Sequence, residues 1–426
     1  MEITILFGTF AIMLLMGIPV AFCLGLSSLA TVLYMGIPPV VVFQQLSTGM
    51  NAFAMLAIPF FIYSGDLMIR GGIADRLIQF AAGLVGHLRG GLGQVNVITC
   101  TLFGGISGSA VADASAVGGI MIPQMVKRGY APDYAVNVTA NAAIIALLIP
   151  PSHNMIIYSL AAGGTISIAD LFTAGVIPGL LLAGALMIAA WLVAVKRGYP
   201  ADIFPGWFTV MRYFVAAMPG ILLIGIIFGG VRSGVFTATE SSCVAVVYAL
   251  LVTIFVYRSL SLEGFVQATL GAVRTTAMVL LVIGAASSFG WLMAFLQVPA
   301  ATISLMKSIS DNPLVILLMV NIILLVLGTF MDMAPMIIIC TPIFLPVVKA
   351  IGVDPVHFGV ILILNAGIGL NTPPVGSVQF VACAIGKVSI SESMRTIWPF
   401  YGASVAVLML VTYVPGFSLW LPALFR

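Results

Sequence analysis

Charged residues are scarce in this sequence. Only 7% of its 426 residues are charged, and the 16 Lys and Arg residues against 13 Asp and Glu residues give a net charge of +3. Soluble domains carry roughly a quarter charged residues, so this composition excludes a soluble protein. The small positive charge gives no indication of a nucleic-acid partner. The chain is 62% hydrophobic, which is typical of a protein embedded in a lipid bilayer.

Catalytic and nucleotide-binding signatures are also missing. The sequence contains no His-Glu-x-x-His motif, no Gly-x-Ser-x-Gly motif and no Gly-x-x-x-x-Gly-Lys phosphate-binding loop. Without such a loop the chain cannot itself use ATP. We therefore expect no enzymatic activity and no organic cofactor. Energy for any transport must come from an ion gradient or from a partner.

Apolar runs of about 20 residues, long enough to cross a bilayer as helices, fill most of the chain. Val176–Val195 and Phe214–Gly230 are examples. The sequence predicts an all-α, multi-pass membrane protein with about ten to twelve spans, some of them broken or re-entrant. Basic residues concentrate in short loops, which the positive-inside rule places in the cytoplasm. These residues are Arg89, Lys127, Arg128, Lys196, Arg197, Arg258 and Lys387.

Glycine and proline landmarks recur along the chain at one offset. Gly105 and Gly328, Pro123 and Pro346, and Pro150 and Pro373 are each 223 positions apart. Matching Gly/Pro-interrupted apolar segments in two halves are typical of transporters with inverted repeats. We predict a first half at residues 1–200, with a helical hairpin near 95–125 and a broken helix near 135–162. A connecting loop at 201–208 leads to a second half at 209–426, with a hairpin near 315–348 and a broken helix near 357–385.

Oxygen-bearing groups cluster at the predicted hairpin tip and helix break of each half. Hard cations such as sodium prefer oxygen ligands, and a proline in a helix frees upstream carbonyl groups to supply them. The sequence predicts one sodium site in each half. The first comprises Ser107, Gly108, Ser109, Asn141 and Ile149, and the second comprises Gly328, Thr329, Asp332, Asn365, Gly369 and Thr372.

A substrate site is expected beside the first sodium site. Ionisable residues at membrane depth are functional candidates because their insertion is costly. Asp113 and Asp332 are the acids in these motifs, and a helix cap is the alternative role for each. The role of His153 stays open between substrate binding, proton relay and capping. The predicted substrate-binding residues are Ser109, Asp113, Ser152, His153, Asn154 and Asn371.

Sequence motifs along nearly the whole chain resemble the large membrane subunit of tripartite ATP-independent periplasmic (TRAP) transporters, the DctM-like permease. The matching stretches are Ala57-Ile-Pro-Phe-Phe61 with Gly65-Asp66, Arg89-Gly-Gly-Leu92, Ile106-Ser-Gly-Ser-Ala110, Ile149-Pro-Pro-Ser152, Gly234-Val-Phe-Thr-Ala-Thr-Glu240, Thr341-Pro-Ile-Phe-Leu-Pro346, Asp354-Pro-Val-His-Phe-Gly359 and Gly369-Leu-Asn-Thr-Pro-Pro374.

This resemblance implies an elevator-type fold and sodium-coupled import of an organic acid, either a sugar acid or a C4-dicarboxylate, across a bacterial inner membrane. It implies two partners: a soluble periplasmic substrate-binding protein and a small membrane subunit of four helices. Two alternatives stay open at this point. One is a self-sufficient cation-coupled carboxylate transporter, and the other is a channel.

Overall fold

The computed structural model describes residues 1–425, which form 21 α-helices joined by short connections. Ten α-helices precede the predicted connecting loop. They are Glu2–Leu15 (α1), Val20–Tyr34 (α2), Val40–Met50 (α3), Ala57–Arg70 (α4), Ile73–Val85 (α5), Gly91–Ser107 (α6), Ala110–Lys127 (α7), Pro132–Ala143 (α8), His153–Ala161 (α9) and Ile168–Lys196 (α10).

Eleven α-helices follow. The first of them begins at Trp207, so the last two residues of the predicted connecting loop, Trp207 and Phe208, belong to this helix. The helices are Trp207–Arg232 (α11), Ala238–Leu251 (α12), Leu262–Phe295 (α13), Val298–Ile309 (α14), Pro313–Gly328 (α15), Met333–Ala350 (α16), Pro355–Gly369 (α17), Ser377–Gly386 (α18), Ile390–Thr396 (α19), Trp398–Tyr413 (α20) and Gly416–Leu424 (α21).

The apolar length of the chain is distributed over long and short helices. Within residues 1–425, six helices are long and apolar enough to cross a membrane, and a seventh span results if α19 and α20, bent by 64°, are counted as one. Six further apolar helices are only 10–17 residues long. The molecule is thus an all-helical, multi-pass membrane protein. The predicted ten to twelve spans exceed the number of long helices, because much of the apolar sequence lies in these shorter segments.

Helix starts recur at the same offset as the sequence landmarks. The first residues of α7 and α16, Ala110 and Met333, are 223 positions apart, and so are the first residues of α8 and α17, Pro132 and Pro355. Helix α8, continued by a 3-10 turn at Ile144–Leu147, and helix α17 each lead to a Pro-Pro segment with a cis peptide bond and then to a short helix, α9 or α18. Each half therefore contains a helix pair followed by an interrupted helix.

Serine caps open the helices that follow the two interrupted segments. The Ser167 side chain accepts a hydrogen bond from the amide of Asp170 (3.2 Å) at the start of α10. Ser389 does the same for Glu392 (3.2 Å) at the start of α19. A serine at the cap satisfies one of the unpaired amides of a first helical turn. Both of these segments therefore open a helix through a serine cap.

The centre of the molecule is formed by α8 and α17. Every residue from Tyr134 to Ala143 is buried, and so is every residue from Val356 to Gly369. A helix that is buried on all sides has no polar face, which explains the near-continuous apolar sequence of α17. The helices around this centre include both helix pairs, α6 with α7 and α15 with α16.

Around this centre, each half contributes one short helix that packs against helices of the other half. Helix α9, from the first half, packs against α16 of the second, whereas α18, from the second half, packs against α7 and α8 of the first. Each short helix beyond a break therefore contacts a helix pair of the other half. A separate group of helices, α2, α3, α4, α12 and α13, packs mainly among its own members.

A buried polar network joins α8 to α18 and α19. Asn137 donates hydrogen bonds to the carbonyl oxygen of Ser393 (3.0 Å) and to the hydroxyl of Thr396 (2.9 Å). Its own side-chain oxygen accepts from Gln379 (3.1 Å) and from the Ser393 hydroxyl (2.6 Å). Asn137, Gln379 and Ser393 are all buried. The network is the main polar contact that fixes the second half against α8.

We expect Asn137→Ala to lower the free energy of unfolding. The substitution removes the oxygen that accepts from Gln379 and from the Ser393 hydroxyl, and each buried group left unsatisfied costs about 1–3 kcal/mol. Thermal unfolding of the purified protein in detergent measures the loss. Asn51→Ala is the control, because Asn51 is exposed and its truncation should stay within about 0.5 kcal/mol. Equal stability of the two variants would contradict the structural role of the network.

Basic loops of the first half meet at one end of the molecule. Arg197 pairs with Asp133 (2.8 Å), and Arg128 forms an ion pair with Asp202. Arg89 forms an isolated backbone bridge with Ala201. Two of the loops that the positive-inside rule assigns to one side, those of Arg89 and Arg128, are therefore in contact with the connecting segment, and the third, that of Arg197, contacts the start of α8.

Candidate functional site

The first helix pair turns through Gly108. Helix α6 ends at Ser107, Gly108 has a left-handed backbone (φ 60°), and Ser109 caps α7 by accepting from the amide of Ala112 (3.4 Å). A Cβ atom on Gly108 would lie 2.6 Å from the carbonyl oxygen of Pro151. Glycine is required here both for the backbone conformation and for this close approach. The tip of the hairpin is thereby packed onto the break of the interrupted helix.

Side chains add further contacts between the hairpin tip and the break. Asn154, in the first turn of α9, donates to the carbonyl oxygen of Gly108 (3.4 Å). Ile149 lies against Gly105, since its Cγ2 atom would be 3.3 Å from a Cβ on that glycine. Ser152 caps the N-terminus of α9 by position, yet its side chain makes no capping hydrogen bond. The predicted first-site residues at the tip and at the break are therefore neighbours.

Asp113 lies behind the hairpin tip, on the first turns of α7. Its side chain is fully buried, and one carboxylate oxygen accepts a hydrogen bond from the Ser107 hydroxyl. The other carboxylate oxygen has no hydrogen-bond partner in residues 1–425. Since the cap of α7 is Ser109, Asp113 does not have the alternative role of helix cap.

Further buried oxygens near the first break also lack partners. They belong to residues whose other polar atoms are bonded, as in Asn141, whose amide nitrogen donates to the Asn137 carbonyl (2.9 Å). Buried polar atoms are almost always paired in native structures, so each exception marks a position where a bound ion or molecule can supply the contact. Of the buried side-chain atoms that lack a partner among residues 1–425, those near the first break are Asp113 Oδ2, Asn141 Oδ1, Ser152 Oγ and Asn154 Oδ1.

The second helix pair meets its own break in the same manner. A Cβ atom on Gly369 would lie 2.7 Å from the backbone of Gly328. The carbonyl oxygen of Thr329 accepts from the amide of Val375 (3.0 Å), which lies beyond the Pro-Pro segment. Asp332 caps α16 by accepting from the amide of Met333 (2.9 Å) and also accepts from the Ser377 hydroxyl (3.3 Å). Both hairpin tips are therefore built onto helix breaks by glycine contacts.

The remaining residues of the predicted second site have partners of their own. Asn365 donates to the side-chain oxygen of Asn321 (2.9 Å), and its own oxygen has no partner in the described chain. Thr372 donates to the carbonyl of Ile368 (3.0 Å) and lies 3.0 Å from the hydroxyl of Tyr401. Asn371 donates to the Ala140 carbonyl in α8 (3.0 Å). Asn371 thus bridges the two halves.

A cavity of about 800 Å³ opens beside the first hairpin tip. It is lined by part of α2, the middle of α4 and the middle of α13, together with the tip of the first helix pair, the start of α9 and the start of α16. None of the described lining residues is Lys or Arg. The ionisable and hydroxyl- or amide-bearing lining residues are Asp66, Ser107, Ser109, Ser115, His153, Asn154, Thr275 and Asp332.

Only some of the predicted substrate residues line this cavity. Ser109, His153 and Asn154 do, whereas Asp113, Ser152 and Asn371 are buried outside its lining. Asp332, predicted for the second sodium site, reaches the cavity as well.

Asp66, Ser115 and Thr275 were not among the predicted site residues. Asp66 carried a usable signal, because it is an acid inside the apolar helix α4. The two hydroxyl residues carried none, since single Ser and Thr residues are common in membrane helices and often bond to their own backbone.

The sequence profile of one family, described as the tripartite ATP-independent periplasmic transporter DctM component, matches residues 7–417. The chain is 38% identical to the C4-dicarboxylate TRAP transporter large permease protein DctM of Rhodobacter capsulatus, over 100% of this chain and 99% of that protein. It is 41% identical to the sialic acid TRAP transporter large permease protein SiaM of Vibrio cholerae, over 90% of this chain and 89% of that protein.

Among solved structures, the YdaH transporter of Alcanivorax borkumensis, described as having an unusual topology, superposes with a TM-score of 0.60. The match covers 88% of each chain at 13% identity, so it supports the fold alone. The family assignment follows from the profile and from the two permeases. This chain belongs to the DctM family of TRAP transporters as a large permease subunit, and it is a transporter component and not an enzyme.

Proposed function

We propose that this chain imports an organic acid together with sodium ions, receiving the acid from a periplasmic binding protein. The observation that carries the proposal is the contact of each hairpin tip with a helix break, where Gly108 meets Pro151 and Gly328 meets Gly369. Interrupted helices place backbone carbonyl groups and helix ends inside a membrane protein, where they bind ions and substrate. The two junctions are therefore the proposed sodium sites.

Unpaired oxygens support sodium as the ion at the first junction. A carboxylate oxygen of Asp113 and the side-chain oxygens of Asn141 and Ser152 are buried without donors among residues 1–425. Sodium is a hard cation and takes such oxygens as ligands. At the second junction the proposed ligand groups are Asp332, Thr329, Thr372 and the unpaired oxygen of Asn365.

Co-bound cations also fit an acidic substrate. The cavity lining has no described Lys or Arg to hold a carboxylate, but the N-terminus of α9, with His153 and Asn154, opens into it. Helix N-termini bind anions through free amides and the helix dipole. Sodium ions at the adjacent junction would offset the remaining negative charge. The names of the related permeases, for C4-dicarboxylate and for sialic acid, fit this class of substrate.

An elevator mechanism is the proposed motion. The cavity is lined both by α2, α4 and α13 and by the hairpin and break segments. Displacement of the second group along the first would carry the bound acid and its ions across the membrane. Helices α2, α4 and α13 would then act as the scaffold.

The partners proposed for this scaffold are a small membrane subunit of four helices and a soluble binding protein, in a bacterial inner membrane. Large apolar side chains on α2 and α11 are exposed in the chain alone and are available for lipid or for the small subunit. They include Leu26, Leu33, Met211, Val215 and Leu222.

Reconstituted uptake tests the proposal. The chain, its small subunit and the binding protein are placed in proteoliposomes under an inward sodium gradient, with a panel of organic acids outside. We expect uptake that needs both sodium and the binding protein. Ser107→Leu and Thr372→Leu should each shift the sodium dependence to higher concentration, because a bulky apolar group displaces ligand oxygens. Thr48→Leu, at an exposed position on α3, is the matched control.

Two results would count against the proposal. Wild-type sodium dependence in both the Ser107→Leu and Thr372→Leu variants would contradict sodium binding at the two junctions. Full uptake by this chain alone would instead support the self-sufficient carrier.

A further inference from the structure

Tyr401, in the first turn of α20, contacts the break of the second interrupted helix. Its hydroxyl donates a hydrogen bond to the carbonyl oxygen of Asn371 and lies 3.0 Å from the hydroxyl oxygen of Thr372. Asn371 and Thr372 directly precede the Pro-Pro segment at 373–374. One side chain from another helix therefore contacts both of the residues at which α17 is interrupted.

The hydroxyl of Tyr401 takes the place of a backbone amide. In an uninterrupted helix the carbonyl of Asn371 would accept from the amide of Val375, four residues further on. Here the Val375 amide donates to the carbonyl of Thr329 at the second hairpin tip (3.0 Å). Because a buried carbonyl group needs a partner, the donor that replaces Val375 at Asn371 is Tyr401. The amide that holds the hairpin tip is thus released from the helix at no loss to Asn371.

Thr372 keeps acceptor capacity in this arrangement. Its hydroxyl donates to the carbonyl of Ile368 (3.0 Å), so its hydrogen is directed away from the break. A hydroxyl oxygen has two lone pairs in addition to its hydrogen. The Tyr401 hydroxyl lies beside that oxygen and limits the rotation of the Thr372 side chain. Thr372 is therefore held in one orientation with an oxygen that can still bind a cation.

The start of α20 is itself fixed by packing. Ile397, at the bend between α19 and α20, is fully buried. Phe400 is also buried and packs against Tyr134 of α8, with ring centroids 6.2 Å apart. A side chain can orient a binding group only if its own position is locked by its surroundings. Tyr401 follows Phe400 directly and meets this condition.

The first break is built differently at the corresponding place. The offset of 223 pairs Tyr401 with Pro178 and Asn371 with Leu148. Proline has no side-chain hydroxyl, and the carbonyl oxygen of Leu148 lies so close to Gly175 of α10 that a Cβ atom there would collide with it. The hydroxyl contact is thus a property of the second half, and its removal should affect the second junction selectively.

Resting on the proposed function, we propose that Tyr401 is a positioning residue for the second sodium site. Its hydroxyl pairs the Asn371 carbonyl, frees the Val375 amide to hold the hairpin tip, and keeps the Thr372 oxygen directed toward the ion. Tyr401 acts through these groups and is not a ligand of the ion.

Tyr401→Phe tests this proposal, because it keeps the ring and removes only the hydroxyl. Uptake is measured in proteoliposomes over a range of sodium concentrations at fixed substrate, with the small subunit and the binding protein present. The sodium concentration for half-maximal uptake should rise about three- to tenfold, as for the loss of one neutral hydrogen bond. Uptake at saturating sodium should stay near the wild-type rate.

Thermal unfolding of the purified chain in detergent provides a second readout that does not depend on transport. Sodium chloride replaces choline chloride stepwise at constant ionic strength. A bound ion raises the unfolding temperature according to its affinity, so the stabilisation of Tyr401→Phe should require about three- to tenfold more sodium. An equal loss of unfolding temperature at every sodium concentration, with an unchanged sodium curve, would assign Tyr401 a structural role only and overturn the proposal.

Tyr248→Phe is the matched control. Tyr248 is half-buried like Tyr401, and its hydroxyl donates to the carbonyl of Pro219 in α11 (2.8 Å). This variant should keep the wild-type sodium dependence. Combining Tyr401→Phe with Thr372→Val should shift the sodium dependence by less than the product of the two single shifts, because both changes act on one group. Independent effects of the two changes would contradict positioning of Thr372 by Tyr401.

Failure of this proposal differs from failure of the proposed function. Wild-type uptake that is the same in sodium and in choline would contradict sodium coupling as a whole. Sodium-driven uptake by the wild type, with an identical sodium curve for Tyr401→Phe, would preserve the proposed function and overturn the role of Tyr401.

Discussion

Replacing Gly369 with alanine should abolish sodium-driven uptake, with a loss of at least about a hundredfold. The added Cβ would lie 2.7 Å from three backbone atoms of Gly328, and backbone cannot rotate away as a side chain can. The hairpin tip must then separate from the break, and the ligand groups of the proposed second sodium site separate with it. A displacement of about 1 Å at a functional site is enough to cost two orders of magnitude. Initial uptake rates in proteoliposomes measure the effect.

Gly402→Ala is the control for this experiment. Gly402 lies in α20, and a Cβ there would meet no atom within 4 Å. It should transport like the wild type, because alanine also favours helix. Both variants must first show the same yield and the same elution from a sizing column. Normal uptake by Gly369→Ala would show that the junction does not bind a coupling ion.

Asp113→Asn should raise the sodium concentration needed for half-maximal uptake by at least about tenfold. Asparagine keeps the size of the side chain and its contact with Ser107 but removes the negative charge. A hydrogen bond or ligand contact to a charged group contributes about 1.5–3 kcal/mol, which corresponds to a change of ten- to a hundredfold. The affinity for the organic acid at saturating sodium should change much less, because Asp113 does not line the cavity.

Asp75→Asn removes an acid of the same kind from an exposed position and should leave the sodium dependence unchanged. Measuring uptake over a range of sodium concentrations, at fixed substrate, separates the two variants. If Asp113→Asn followed the wild-type sodium curve, the carboxylate would have only a packing role. A selective loss of substrate affinity would instead assign Asp113 to the substrate.

Some local features of the site could be predicted from the sequence because they depend on the residue type at a single position. Gly108 marks the first hairpin tip because glycine permits its left-handed backbone, and Gly328 marks the second because it lies close to Gly369. The Pro-Pro pairs lie where the structure has breaks. The constant offset of 223 between landmarks was reproduced by the first residues of α7 and α16. Membership of the TRAP family was also predicted from the motifs and is confirmed.

The sequence did not allow the side chains that face the cavity to be predicted. Asn371 lies within the second break, two residues before Pro373, and its side chain donates to Ala140 of the other half. Asp113 lies on the same face of α7 as Ser109, but it is buried behind the tip, and only Ser109 reaches the cavity. Asp66 belongs to a helix outside both repeat motifs. These positions are set by contacts between distant segments, which local pattern cannot specify.

Because each half packs against a short helix of the other half, the first half cannot complete its packing before the second half has been synthesised. Helix α9 leaves the ribosome long before α16, the helix it packs against, and α18 supplies the missing neighbour of α7 and α8. Until the last quarter of the chain is in the bilayer, the buried amide of Asn137 has none of its partners from α18 and α19. A ribosome stalled after the connecting segment would thus leave an unfinished fold for membrane proteases, and a gene split at that segment would need both products in the same membrane at once.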